Sequence, residues 1–294
     1  KMANKIIFQF EELDYQKKAI DSVIKLFNGF EREKKGMYGE THRKASLLDP
    51  TRNKGNITES HLLRNLQKVQ LENGLFTDNE LANKNFTIEM ETGTGKTYVY
   101  LRTILELYKE YGLKKFIVVV PSIPILKGVK KSIEQLREHF QEIEGIDITK
   151  YSFTYNSDKL NAMSYGLVES DDLSICIMNV QAFNKDSTRI RKEDEYQRIL
   201  WNDIKNIRPI IIIDEPQKFE GQKKKKSSSL QAIDELEPLF ILRYSATHKK
   251  IYNQIYKLDS YQAYKNNLVK KIKVKTINGL IPKDFPYIRY TRFS

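Results

Sequence analysis

Five apolar runs, each short enough to be a strand, constrain the fold of this chain most strongly. They read NFTIEM, KFIVVVP, SICIMN, PIIIID and LFILRYS, and longer stretches with helical spacing of apolar residues lie between them. Strands covered by helices on both faces are apolar almost throughout, whereas half-exposed strands alternate apolar and polar residues. The sequence therefore predicts an α/β domain of three layers, in which a largely parallel central sheet is flanked by helices.

Two amphipathic segments precede the first apolar run. DYQKKAIDSVIKLFNGF and ESHLLRNLQKVQLENG repeat apolar residues every three or four positions, which predicts two helices, the second ending at Gly74. Residues 31–56 between them are polar and irregular, which predicts a loop. We interpret the region near residues 31–80 as a polar insertion in the domain.

Charge and cysteine content bound the classes of function. The 294 residues include 50 Lys and Arg against 38 Asp and Glu, and the net charge of +12 favours a polyanionic partner such as nucleic acid. A single cysteine, Cys176, excludes an internal disulfide, fits a reducing cytoplasm and lies in an apolar run that predicts burial. No apolar run approaches the roughly 18 residues of a membrane span, so we expect a cytoplasmic protein without a membrane partner.

Two glycines lie between the first apolar run and a helical pattern, in ETGTGKT. Glycine lets the chain bend tightly enough for successive backbone N–H groups to face one anion, and a following helix adds its free amides. Lys96 would add positive charge for the β and γ phosphates, as a catalytic residue, and Thr97 would offer a hydroxyl to Mg²⁺. The predicted nucleotide-binding residues in this turn are Thr92, Gly93, Thr94, Gly95, Lys96 and Thr97.

Asp214 and Glu215 follow the isoleucine run, at the end of a strand where open α/β sheets place their ligands. ATP hydrolysis needs a carboxylate for Mg²⁺ and a group that activates water. We expect Asp214 to hold Mg²⁺ together with Thr97, and Glu215 to orient and deprotonate the attacking water. Ser245 and Thr247 follow the last apolar run, where their hydroxyls can bond both to the acidic strand end and to neighbouring loops.

ETGTGKT, DEPQ and SAT, in that order, resemble motifs I, II and III of superfamily-two helicases. METGTGKT, DEPQ and LRYSAT resemble more specifically the Res subunit of type III restriction-modification enzymes, which is the ATP-driven restriction subunit. Met90 stands where the strict phosphate-binding pattern has glycine. The resemblance to the Res family includes this position, so Met90 does not speak against a phosphate-binding turn. The resemblance extends from about Gln9 to Ile277 and implies a RecA-like P-loop domain that uses ATP and Mg²⁺.

The resemblance also implies roles for polar residues outside these motifs. FEELDYQKKAI resembles the glutamine motif, which implies that Gln16 reads the edge of the adenine. VVVPSIPI resembles motif Ia, which implies that Pro121 and Ser122 lie beside the DNA, where Ser122 could donate to a phosphate. IMNVQAFNK resembles the next DNA-side segment, and its weaker candidates are Gln181, Phe183 and Asn184. The residues expected to couple ATP use to DNA are Gln217, Ser245 and Thr247.

Members of this family carry further parts that we do not find in the sequence. These are a second RecA-like domain, which supplies an arginine finger, and a C-terminal nuclease domain. We therefore expect a first motor domain over residues 1–265 and, over residues 266–294, a linker toward a missing second motor domain. The resemblance implies two partners, duplex DNA and the methyltransferase (modification) subunit that recognises the DNA site.

Three functions remain open on the sequence. The chain could be the ATPase motor domain of a type III restriction endonuclease, or a stand-alone superfamily-two helicase or remodeller of DNA or RNA. It could also be a nucleotide-gated module that binds ATP and DNA without turnover. Glu215 favours hydrolysis by the parent protein, whereas the lack of an arginine finger predicts that the fragment alone is weakly active.

Overall fold

A seven-stranded sheet forms the centre of the computed structural model, which describes residues 11–31, 52–158, 160–183, 189–193, 199–220, 227–265 and 268. The strands are β1 Asn85–Met90, β2 Lys115–Val120, β3 Ser152–Thr154, β4 Ser174–Asn179, β5 Ile210–Asp214, β6 Phe240–Ser245 and β7 Gln254–Leu258. Their order across the sheet is β3-β4-β2-β5-β6-β1-β7, and every pairing between them is parallel. The predicted α/β class and the largely parallel sheet are confirmed.

Helices cover both faces of the sheet. They are α1 Asp14–Leu26, α2 Glu59–Glu72, α3 Lys96–Tyr111, α4 Ile123–Glu144, α5 Leu160–Met163, α6 Leu200–Asn206, α7 Ser228–Glu235 and α8 Ser260–Lys265. A π-helical segment, Ser164–Glu169, directly follows α5. The two helices predicted before the first strand are confirmed as α1 and α2, and α2 stops just before Gly74, whose φ of 66° is left-handed. None of the described helices combines the length and the apolar content that crossing a bilayer requires.

The burial of β2 shows why the strands read as continuous apolar runs. All six of its residues are buried, and alternate residues face opposite layers. Phe116, Val118 and Val120 pack in the cluster that includes α1 to α4, whereas Ile117 and Val119 pack in the cluster that includes α6 and α7. A strand between two helical layers has no face in water, so both sets of alternate residues are apolar.

Two strands were not among those expected from the sequence, and both lie at the edges of the sheet. β3 has only three residues, and β7 mixes the polar Gln254 and Lys257 with apolar residues. An edge strand has one neighbour instead of two and is covered less completely, so it needs fewer apolar residues and gives a weaker pattern.

The region between α1 and the first strand contributes to the core. α2 lies within the predicted insertion near residues 31–80, and it packs Leu62, Leu66 and Val69 into the main apolar cluster. Glu31 and Asn56 form an antiparallel bridge at the two ends of the predicted loop, most of which, residues 32–51, lies outside the described part of the chain. The division into a domain over residues 1–265 and a linker over residues 266–294 stays a prediction, because only Leu268 of the linker is described.

Cys176 lies on β4 with its side chain fully buried and its thiol free. Burial raises the pKa of the thiol well above its usual range, because the thiolate would lose its hydration. Cys176 is therefore an inert core residue, as its apolar surroundings in the sequence predicted.

Candidate active site

The topology brings most of the predicted functional residues to one edge of the sheet. Because all seven strands are parallel, their carboxyl ends point the same way, and the five adjacent strands β4, β2, β5, β6 and β1 are each followed by one predicted motif. The carboxyl edge of a parallel sheet is where α/β proteins bind their ligands. The candidate site is therefore built from loops, on strands that are held rigidly in the core.

The glycine turn joins β1 to α3 in the manner expected of a phosphate-binding loop. β1 ends at Met90 and α3 begins at Lys96. Gly93 and Gly95 have φ angles of 83° and 86°, a left-handed conformation that glycine adopts at little cost. No side chain caps the start of α3, and its first turn contains no acidic residue. The helix therefore presents its first amides and its positive end to the turn.

Two side chains at the start of α1 hold the glycine turn from outside. The Tyr15 hydroxyl and the Gln16 Nε2 both donate to the Thr94 carbonyl, at 3.0 and 2.9 Å. A Cβ atom on Gly95 would overlap the Gln16 side chain, so only glycine permits this approach. The Tyr256 hydroxyl on β7 donates in turn to the Tyr15 carbonyl at 2.9 Å. Gln16 therefore lies against the glycine turn, and its role toward the adenine stays a prediction.

Lys96 connects the glycine turn with the acidic end of β5. Its Nζ lies 3.2 Å from Oε1 of Glu215 and 3.3 Å from the carbonyl oxygen of Met90. Both partners of the ion pair are mostly buried, with 11% and 16% of their side chains exposed. β6 separates β1 from β5 in the sheet, so this contact reaches across one strand.

The two adjacent carboxyl groups have opposite pKa shifts. Asp214 is 5% exposed, and burial together with the charge of Glu215 raises its pKa to about 6, against the opposing effect of Lys96. Burial would also raise the pKa of Glu215, but the hydrogen bond from Gln217 and the charge of Lys96 outweigh it and lower the pKa. Glu215 has a left-handed φ of 54°, an uncommon conformation for a residue other than glycine.

The donor chemistry of the site fits a magnesium ion that arrives with a nucleotide. A buried carboxyl group with a raised pKa is one that a nearby cation would ionise, and Asp214 is such a group. Thr97, in the first turn of α3, adds a hydroxyl oxygen. Among the described residues there is no cluster of three His, Cys, Asp or Glu that could hold a metal alone. Mg²⁺ keeps waters and phosphate oxygens among its ligands.

Ser245 links the ends of β5 and β6. Its hydroxyl lies 2.7 Å from Gln217 Oε1, 3.4 Å from Glu215 Oε2 and 2.8 Å from the Thr247 carbonyl. Gln217 Nε2 donates to the same Glu215 oxygen, and the Glu215 backbone N–H donates to the Tyr244 carbonyl at 2.9 Å. A hydroxyl has one proton, so Ser245 can donate to only one of its three neighbours at a time. Of the three residues expected to act in coupling, Ser245 thus contacts both of the others.

The predicted DNA-side residues lie farther along the same edge. Pro121 and Ser122 follow β2, and Ser122 is the residue that precedes α4. Gln181 follows β4 and is exposed. Phe183, in contrast, is buried beside Trp201 and cannot face DNA; its apolar side chain fills the core instead. Asn184 lies outside the described residues.

The family described as "Type III restriction enzyme, res subunit" matches residues 9–250 of this chain. The chain belongs to this family. The matched residues include every predicted site residue from Gln16 to Thr247, so the whole candidate site lies within the matched region.

Curated relatives agree with the Res family. The EcoP15I Res subunit of Escherichia coli is 31% identical over 74% of this chain, and the EcoPI Res subunit of Escherichia phage P1 is 30% identical over 90% of it. The chain spans only 24% and 29% of the lengths of these relatives. A solved structure titled "Crystal Structure of DUF1998 helicase MrfA bound to DNA" aligns with 69% of this chain and 28% of its own, at 18% identity and a TM-score of 0.42.

Sequence reasoning missed three contributors to the site. Tyr15 precedes the glutamine by one residue, and only the structure shows its contact with the turn. Arg243 and Glu220 form a buried ion pair behind the site. The sequence contained one signal of this ion pair, because Arg243 lies within the apolar run LFILRYS. A charged side chain in a buried strand is usually paired with an opposite charge.

Proposed function

We propose that this chain is the ATP-hydrolysing motor domain of a type III restriction enzyme Res subunit, and that it uses Mg-ATP as a translocase or helicase on duplex DNA. The observation that carries the proposal is the 3.2 Å contact between Lys96 Nζ and Glu215 Oε1. It unites the glycine turn after β1 with the carboxylate pair after β5. Nucleotide hydrolysis needs a phosphate-binding group and a water-activating group in one place.

The glycine turn and α3 form the phosphate-binding side. Phosphate oxygens accept hydrogen bonds from the backbone amides at the start of α3 and are favoured by its positive end. Lys96 is held by Glu215 at 3.2 Å, and phosphate oxygens compete with that carboxylate for the ammonium group. Nucleotide binding therefore transfers Lys96 from Glu215 to the β and γ phosphates.

Glu215 acts as the base. Its lowered pKa keeps it ionised at neutral pH, so that either carboxylate oxygen can accept a proton from the attacking water. Burial opposes this shift, and the Gln217 hydrogen bond and the Lys96 charge maintain it. When Lys96 turns to the phosphates, one of these influences weakens. The carboxylate then becomes a stronger base at the moment when nucleotide is bound.

Asp214 and Thr97 are the residues that would hold Mg²⁺. When bound, the ion neutralises charge on the β and γ phosphates. Asp214 would supply an anionic oxygen, and ionisation of this carboxyl group, whose pKa is raised to about 6, would accompany binding. Gln217, Ser245 and Thr247 would relay changes at Glu215 to the loops beside it.

The proposed partners follow from charge, position and family. The net charge of +12 suits a polyanion, and Pro121, Ser122 and Gln181 lie along the edge of the sheet beside the nucleotide site. The relatives are subunits of restriction-modification enzymes, so the modification methyltransferase is the expected protein partner. Because the chain covers under a third of those relatives, a second RecA-like domain and a nuclease domain would lie elsewhere in the complete protein.

Replacing Lys96 by alanine tests the proposal. Lys96→Ala should abolish ATP hydrolysis above background and weaken ATP binding, because the phosphates lose their one formal positive charge in the turn. The variant should still unfold in one cooperative transition, because Lys96 belongs to neither apolar cluster of the core. Radiolabelled ATP turnover, with and without duplex DNA, is the measurement.

Lys68→Ala on the exposed side of α2 is the matched control and should hydrolyse ATP normally. Equal turnover by Lys96→Ala and the wild type would contradict the phosphate-binding role. ATP binding by the wild type without any turnover, even with DNA, would favour a nucleotide-gated module instead.

A further inference from the structure

A buried ion pair lies behind the nucleotide site and is used by none of the steps above. We call residues 215–220, the described residues directly after β5, the DEPQ loop. The carboxylate of Glu220, the last of these residues, pairs with the guanidinium of Arg243 on β6. The next two residues of β6 hold Glu215 and Gln217, as described above. Three consecutive residues of one strand therefore hold the DEPQ loop at its start, its middle and its end.

The ion pair also reaches the segment that follows β6. The two side chains are only 3% and 4% exposed. The Arg243 guanidinium lies over the Tyr252 ring, 4.9 Å from its centroid, and the Tyr252 backbone N–H donates to Thr87 Oγ1 on β1 at 3.0 Å. Lys249 Nζ lies 3.4 Å from the Glu220 carbonyl oxygen. The ion pair thus contacts the segments that follow β5 and β6. Tyr252 connects it further to β1, the strand that precedes the glycine turn.

Stability alone does not account for a charged pair at this position. Removing two charges from water costs free energy that their attraction often fails to recover, and apolar side chains of similar size are frequently as stabilising. Within the described part of the chain, Arg243 Nε and Glu220 Oε2 have no hydrogen-bond partner, which adds to the cost. What an ion pair offers, and an apolar pair does not, is a defined direction and register.

We propose that Arg243 and Glu220 are positioning residues, whose ion pair fixes the DEPQ loop on β6 and so holds the Glu215 carboxylate at the bound nucleotide. The inference rests on the proposed ATPase function. Glu215 has a left-handed backbone conformation that its neighbours must impose, and Glu220 lies five residues farther along the same connection. Anchoring Glu220 to the strand that also holds Glu215 and Gln217 limits the movement of Glu215.

The double variant Arg243→Met/Glu220→Met separates positioning from stability. It removes both charges together, so no unpaired charge stays buried, and its unfolding midpoint should lie near that of the wild type. Hydrogen exchange of the Glu215, Lys218 and Glu220 amides should become about tenfold faster or more, while the β5 amides stay protected. In single-turnover assays with excess protein, ATP cleavage should fall by about 10²-fold with little change in nucleotide affinity, because a misplaced base affects chemistry and not binding.

The exposed pair Lys205 and Glu237, 2.6 Å apart, gives the matched control. Lys205→Met/Glu237→Met removes the same charges from the surface and should change neither loop exchange nor turnover. Unchanged exchange of the DEPQ loop and wild-type turnover in the buried double variant would overturn the inference. A wild type that cleaves ATP no faster than Lys96→Ala would instead defeat the ATPase proposal, and the exchange experiment would still decide whether the pair holds the loop.

Arg243→Lys gives a second route if the double variant does not fold. Lysine keeps the charge but lacks the planar guanidinium, so the pair loses its fixed geometry and keeps its attraction. We expect faster exchange of the loop amides and a reduced cleavage rate at unchanged nucleotide affinity. Wild-type exchange and wild-type cleavage in Arg243→Lys would overturn the positioning role.

Discussion

Burial at the end of β5 makes the folded chain disfavour the charge of Asp214. The pKa of its carboxyl group is raised to about 6, whereas an unfolded aspartate has a pKa of about 3.9. The protonated form therefore favours folding. This contribution is fully present below about pH 4 and is lost as the pH rises through 6. At neutral pH the ionised carboxylate is a cost to stability that a bound cation would offset.

Asp214→Asn should consequently be more stable than the wild type at pH 8, in buffer without nucleotide or Mg²⁺. The difference corresponds to on the order of 2–3 kcal/mol and to an increase of several degrees in the unfolding midpoint. It should shrink strongly near pH 4 and disappear below about pH 3, where Asp214 is protonated in both the folded and the unfolded chain. Calorimetry at both pH values measures it, with the exposed Asp21→Asn as the control.

His248 also changes the stability of the protein between about pH 4 and 6.5, with the opposite sign. Comparing Asp214→Asn with the wild type at one pH removes this effect. Burial lowers the pKa of His248 to about 4, so its contribution to stability is present above about pH 6.5 and is lost as the pH falls toward 4. Both proteins retain His248, so it cancels in the difference. Equal midpoints of the wild type and Asp214→Asn at pH 8 would contradict an unfavourable Asp214 charge.

Glu215→Gln and Asp214→Asn should separate water activation from metal binding. Glu215→Gln removes the base and keeps the size of the side chain, so hydrolysis should fall by about 10² to 10⁴ while ATP binding survives or tightens. Asp214→Asn should weaken the Mg²⁺-dependent part of ATP binding, because a hard cation loses an anionic ligand. Nucleotide titrations with and without Mg²⁺, together with single-turnover hydrolysis, measure both. The assignment fails if Glu215→Gln hydrolyses ATP normally while Asp214→Asn binds Mg-ATP normally.

At the scale of elements, α1 is fixed at both ends by tyrosine hydroxyls. Near its start, Tyr256 donates to the Tyr15 carbonyl at 2.9 Å, and near its end, Tyr111 donates to the Ile24 carbonyl at 2.8 Å. Both tyrosines are buried. Only the first contact lies beside the glycine turn, because Tyr15 also donates to the Thr94 carbonyl. The two ends of one helix therefore provide a matched pair of contacts.

Tyr256→Phe and Tyr111→Phe should destabilise the protein by similar amounts, about 1 kcal/mol each, since each loses one hydrogen bond and keeps its ring. Only Tyr256→Phe should also weaken nucleotide binding, because it loosens the start of α1 and with it the two donors to Thr94. Urea denaturation and titration with a fluorescent nucleotide give the two quantities. Equal nucleotide affinities of the two variants would show that the start of α1 does not position the turn.

The sequence predicted the elements at the centre of the sheet better than those at its edges. The central strands were predictable because burial on both faces requires continuous apolar runs. β3 and β7 were not, because three residues carry no pattern and because QIYKL resembles a loop as much as a half-covered strand. The glycine turn with Lys96 and the carboxylate pair Asp214 and Glu215 were predictable, because each lies in a short motif directly after an apolar run. The contact of Tyr256 with Tyr15 was not, because it joins positions 241 residues apart.

For the whole molecule, the net charge of +12 predicts how it should bind duplex DNA. Contacts between basic side chains and phosphates release counterions, so affinity should fall by on the order of 10³ between roughly 50 and 200 mM salt if about six phosphates are contacted. Unrelated duplexes should compete equally, since we identify no base-reading element in the sequence. Fluorescence anisotropy across a salt series measures both. A preference for one short sequence that persists at high salt would contradict this prediction.

The position of β1 in the sheet determines when the nucleotide site can form during synthesis. β1 ends at Met90, but its two neighbours, β6 and β7, begin at Phe240 and Gln254. A ribosome adding about 5 to 20 residues per second needs on the order of ten seconds to reach them. During that interval β2 can pair with β4 and then with β5, while both edges of β1 lack partners. The glycine turn is thus translated well before it can be assembled, and until then both edges of β1 are open to pairing with other chains.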